Sequence, residues 1–124
     1  MLALLTDDLG TDETREVITN PEHDFRMRVI NLGDVPYIVS RTNGGEAAED
    51  AVRLVFEQEN GDVVDVTWEA ARGAAQFKSR GGLSFADAFV GAEAGREGRT
   101  ILTGDPEFEC VPEVAVHWLP RKEG

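Results

Sequence analysis

A chain of 124 residues with 41% hydrophobic and 29% charged residues has the size and composition of one soluble globular domain, and none of its apolar runs approaches the about 18 residues that a membrane span needs. Its 24 acidic against 12 basic residues leave a formal charge of -12, which at low salt argues against a nucleic-acid partner, because phosphate binding draws on a basic field. Only Lys78 and Lys122 among the basic residues are lysines, however, and an acidic, lysine-poor surface also marks cytoplasmic proteins of salt-loving organisms, where at about 1 M salt the Debye length is only about 3 Å and repulsion acts at contact range.

From the start, Leu2, Leu4 and Leu5 fall on one side of a helix already under way. The run lacks the basic start and apolar length of a signal peptide, so a cytoplasmic location is expected. Thr11 or Asp12 then caps a second helix ending near Asn20-Pro21. Phe25 to Ile30 reads as a strand, and "NLGDVPYIVSRTNGG" as a helix that stops at Asn43-Gly44-Gly45. "EAAEDAVRLVFEQEN" has helical spacing, "DVVDV" is a short strand, and "TWEAARGAAQFKSR" is a helix capped by Thr67. "LSFADAFVGAEAGREG" is a helix with Ser84 as its N-cap, followed by the strand "TILT", a turn at "GDPEF", the strand "EVAVHWL" and a polar tail at 121–124. Strands alternating with helices predict an α/β fold, with a parallel sheet covered on both faces, in a single domain over 1–120. Cys110, the only cysteine, has no disulfide partner and is expected in the core.

Three acids stand where a strand hands over to a helix, or beside such a place. Asp105 in "ILTGDPEF" follows a strand, and ligands of open parallel sheets bind outside the strands' carboxyl ends. It also fits an N-cap followed by proline. Asp87 in "LSFADAF" fits a capping box with Ser84, three residues earlier. Asp34 in "VINLGDVPY" reads as a helix-start acid favoured by the dipole. If the strands are parallel, the three carboxylates converge on one edge, and converging carboxylates call for a hard cation such as Mg2+ or Mn2+. Such a site suits phosphodiester hydrolysis. His23 and His117 have no partner spacing, Trp68 and Trp118 read as core or interface anchors, and Arg72, Lys78 and Arg80 read either as phosphate contacts or as a solvated helix face.

"LSFADAF", about a dozen residues, "ILTGDPEF" and a closing "VAVHWLP" resemble the C-terminal half of PIN-domain nucleases, in particular the VapC-type toxins of toxin–antitoxin pairs. "VINLGDVPYIV" falls where that family carries its second acidic motif, and "AARGAAQFK" resembles the helix before the third. The resemblance implies a three-layer α/β/α fold and a Mg2+- or Mn2+-dependent endoribonuclease that leaves 5′-phosphate and 3′-hydroxyl ends. It further implies a homodimer held inactive by a VapB-type antitoxin. Carried over by position, Asp34, Asp87 and Asp105 are the metal carboxylates and Thr103 the hydroxyl that orients water or ligand. Glu107 offers a further oxygen to the site, although an exposed helix-start acid is its expected role.

Three departures accompany the resemblance. The family opens with a strand ending in Asp, and "LALL" matches the helix after it, which puts the first strand and its Asp before Met1 and leaves Asp7 and Asp8 at the far end of a helix. Asp34 stands where the family has Glu, and Pro36 follows two residues later, harmless only in a first helical turn. A missing first Asp would make the chain either a PIN-like binding module with impaired catalysis or an inactive fragment of an enzyme.

Overall fold

The computed structural model describes residues 2–6, 9 and 12–119. Its elements run β1 (Leu2–Leu5), α1 (Asp12–Thr19), β2 (Asp24–Arg28), α2 (Val29–Asn43), α3 (Gly45–Glu57), β3 (Gly61–Val64), α4 (Trp68–Lys78), α5 (Phe85–Glu97), β4 (Thr100–Thr103), a 3-10 helix at Pro106–Cys110, and β5 (Val116–Trp118). The strands form one parallel sheet in the order β3-β2-β1-β4-β5. The carboxyl ends of all five strands therefore share one edge.

The opening segment departs from the sequence reading. Leu2–Leu5 is a strand, and it is the central one, paired with β2 on one side and β4 on the other. Leucine and alanine are good helix formers, but a central parallel strand is buried on both faces and reads as a continuous apolar run. Burial decided the outcome: Ala3, Leu4 and Leu5 are almost fully buried.

Alternate residues of the inner strands feed two cores. Leu5, Phe25, Met27 and Leu102 pack with Ile18, Leu32, Val35, Ala48 and Val55 of α1 to α3. Leu4 and Ile101 face the other way, onto Val90, Ala94 and Phe108, while Ala70, Ala74, Ala88 and Phe89 seal α4 against α5. The result is the expected three-layer α/β/α arrangement. On the α5 side an ion pair supplements the apolar contact: buried Glu93 accepts from Arg28 at 2.6 Å and lies 3.7 Å from Arg26, both on β2. This contact fixes α5 over the sheet. Register at the edge is tight as well, because a Cβ added to Gly61 would stand 2.2 Å from the buried Phe25 ring it pairs with.

Other boundaries also differ from the sequence reading. Helix α2 begins at Val29, directly after β2, so Asp34 lies in its second turn instead of capping it, and Pro36 is inside the helix. There the proline removes the donor that the Leu32 carbonyl would normally receive. "GDPEF" enters a 3-10 helix, the last strand shrinks to three residues, and Cys110 is exposed. Trp68 and Trp118 are exposed, at 73% and 42%, so neither is a core anchor. No helix among the described residues is long and apolar enough to cross a membrane.

Candidate metal centre

The carboxyl end of β4 is held by hydroxyls. Thr103 is fully buried, and its Oγ1 accepts from the Thr6 hydroxyl at 3.3 Å and from the Asp105 amide at 3.1 Å. Thr103 therefore ties the end of β4 to the end of the central strand and sets the backbone from which Asp105 projects. Asp105 in turn caps the 3-10 helix, its Oδ1 accepting from the Glu107 amide at 2.9 Å. The capping expectation holds, yet it takes up one carboxylate oxygen of two, and an ionised carboxylate offers about four acceptor sites. Capping and coordination are compatible here.

Asp87 enters from the first turn of α5. Ser84 is the N-cap and accepts from the Asp87 amide at 3.2 Å, as the sequence pattern required. The reciprocal arm of the box is different: the Ser84 amide donates to Glu107 Oε1 at 2.6 Å. A residue from the β4 side thus closes the cap of α5 and draws Glu107 inward, half-buried, beside Asp87. One ligand oxygen from each of Asp87, Asp105 and Glu107 lies within 4.8 Å of the others. Asp87 is 3% exposed. Close, partly desolvated carboxylates repel one another unless a cation joins them, and an all-oxygen donor set fits a hard divalent ion such as Mg2+ or Mn2+.

Of the expected ligands, the structure brings Asp87 and Asp105 together and sets Glu107 beside them, the less favoured of its two sequence readings, a further oxygen instead of an exposed helix-start acid. Asp34 is not in that group of three. It is half-buried on α2, one turn beyond Asn31, and residues three apart share a helix face. Buried Asn31 donates to the Ala86 carbonyl at 3.0 Å, which pins that face of α2 to the first turn of α5, next to Asp87. No sequence signal marks Asn31, whose partner is 55 positions away. Asp7 and Asp8 lie outside the described residues. Lys78 and Arg80 are engaged within the fold: Lys78 donates to the Leu83 carbonyl at 2.8 Å, and Arg80 pairs with Glu113 and stacks on Phe77.

The family model of the PIN domain matches residues 1–114. No curated protein matches the chain in sequence. Among solved structures, the chain is similar to the Rickettsia felis VapBC2 complex bound to a DNA fragment from its promoter, with 14% identity and a TM-score of 0.67 over 97% of this chain and 100% of that one. It is similar to VapBC-5 of Mycobacterium tuberculosis, a toxin–antitoxin family member, at 17% identity and a TM-score of 0.67 over 95% and 98% of the two chains. A third likeness is to VapC20 of the same organism, a toxin that cleaves the sarcin-ricin loop, at 19% identity and a TM-score of 0.64 over 80% and 86%. At these identities the likeness is one of fold.

Proposed function

The chain belongs to the PIN domain family, and from that premise we propose that it is a metal-dependent endoribonuclease of the toxin type. The observation that carries the reading is the convergence of Asp87, Asp105 and Glu107 at the carboxyl edge of the sheet. Asp87 and Asp105 would hold a Mg2+ or Mn2+ ion, with Glu107 at the rim and Asp34 as the further carboxylate assigned to the set. A divalent ion held there would supply Lewis-acid polarisation of a phosphoryl oxygen and a water more acidic than bulk water. The protein's own groups position it: Thr103 fixes Asp105, Ser84 and Glu107 fix the first turn of α5, and Asn31 fixes α2 against it.

RNA is the proposed substrate, with 5′-phosphate and 3′-hydroxyl products, and a VapB-type antitoxin the proposed partner, in keeping with the toxin–antitoxin complexes among the similar folds. A homodimer in a salt-rich cytoplasm completes the reading. The alternative, a PIN-like binding module with impaired catalysis, draws on Asp34 standing where the family has Glu and on the first acidic position; the convergence of Asp87 and Asp105 favours the enzyme.

The test is cleavage of a mixed RNA substrate in concentrated KCl with Mn2+, against a chelator control and Asp105→Asn. Asparagine caps as well as aspartate, so that variant keeps the 3-10 helix and removes the charge. Cutting that requires both the ion and Asp105 supports the assignment. Cutting that survives either loss refutes it.

A further inference from the structure

Away from the acidic centre, a cavity of about 650 Å3 opens between the ends of β2 and β3, α4 and the last turn of α5. Its lining gathers Arg28, Arg72 and Arg96 beside Asp65 and Glu69, on a chain of net charge -12. Arg28 is committed to the fold, since it donates to Glu93 and to the Asp65 carbonyl. Arg72 and Arg96 are exposed, and neither makes an ion pair with any described residue. Both guanidinium groups are therefore available to an anion entering the cavity.

A second observation points to what kind of anion. Trp68 is 73% exposed at the start of α4, four residues before Arg72, so the two side chains are neighbours on one helix face. Thr67, next to Trp68 in the chain, lines the cavity. An indole ring that faces water beside a free guanidinium matches the two halves of a nucleotide, base and phosphate.

We propose that this cavity is a subsite for single-stranded RNA, with Arg72 and Arg96 on backbone phosphate and Trp68 stacked on a base. This rests on the proposed ribonuclease reading. Strands β2 and β3, whose ends border the cavity, lie two and three places from β4 in the sheet, which at about 4.8 Å per strand puts the cavity about 10–14 Å along the sheet from the end of β4. A stacked strand rises about 3.4 Å per nucleotide, so about three to four nucleotides span the gap. The subsite would thus select substrates with a single-stranded flank and set which phosphate reaches the acids.

The experiment measures binding of a short labelled single-stranded RNA in chelator across a salt series, for the native chain, Arg72→Ala/Arg96→Ala and Trp68→Ala. All three side chains are exposed, so the variants should keep the fold, which circular dichroism checks. For the double arginine variant the slope of log affinity against log salt should fall by about 1.4, at about 0.7 per lost phosphate contact. Trp68→Ala should weaken binding about five- to a hundredfold. In a Trp118→Phe background, RNA should quench the remaining tryptophan. Native affinity and slope in the arginine variant overturn the proposal, as does failure of the native chain to bind RNA. So does loss of antitoxin binding with RNA binding intact, which would make the patch a protein interface. Native binding with the expected losses, but no cleavage with Mn2+, would sink the nuclease reading and leave the subsite standing.

Discussion

Glu107→Gln separates a helix tie from a metal ligand. Glutamine is nearly isosteric and keeps an oxygen to accept from the Ser84 amide, but it removes one of three carboxylates whose ligand atoms lie within 4.8 Å of each other. Two unit charges at that separation repel by about 3.5 kcal/mol at an effective dielectric of about 20. Asp105 and Glu107 are half-exposed, and solvent screening reduces the relief to about 2–3 kcal/mol. Against this, a neutral acceptor holds the Ser84 amide about 1 kcal/mol less well than a charged one. In chelator the variant should therefore be more stable than the native chain by about 1–2 kcal/mol, at roughly 3–5 °C per kcal/mol for a domain of this size. The order should narrow or reverse with Mn2+. At a hundred times its dissociation constant the ion stabilises the native fold by about 2.7 kcal/mol, and each tenfold loss of affinity removes about 1.4 kcal/mol of that. Thermal unfolding with chelator and through a Mn2+ titration reads both effects. A variant that melts lower in chelator and shows the native Mn2+ shift would mean that Glu107 only ties α5 to β4, and the electrostatic argument fails.

Glu93→Ala leaves Arg28 beside α5 without its carboxylate and should cost about 3–5 kcal/mol in denaturant unfolding, whereas a loss under about 1 kcal/mol would show that water replaces the pair. Arg80 lowers the Glu113 carboxyl below the usual glutamate range by hydrogen bonding, so its contribution is complete above that range and is lost as pH falls through the lowered folded-state value. Glu113→Gln should thus flatten the acid side of the stability curve at low salt and make no difference in molar salt, where an exposed pair is screened.

The parts of the fold legible in the sequence were those set by local signals. Thr67 and Ser84 cap α4 and α5 because a side-chain oxygen reaches an amide three residues on, and Gly98 ends α5 in the left-handed conformation at φ 67. The central strand was not legible in this way. Four consecutive apolar residues satisfy a buried strand and a helix face equally, and only pairing with β2 and β4, from residues 24–26 and 100–102, decides between them. The start of α2 was misplaced for a related reason. β2 passes into the helix without a turn residue, so Asp34 and Pro36 looked like the first available beginning.

The acidic centre divides along the same line. Asp87 and Asp105 could be read because each follows a local pattern that puts it at an element's start, and a parallel sheet gathers those starts on one edge. Neither local pattern says which acid completes a cap. Ser84 and Asp87 make a capping box on paper, yet the amide of Ser84 goes to Glu107, 23 residues away. That exchange gives the box a partner from β4's side and leaves the Asp87 carboxylate directed among Asp105 and Glu107. Capping therefore assembles the centre instead of competing with it: the bonds that start α5 and the 3-10 helix are the same bonds that bring the three carboxylates within reach of one ion.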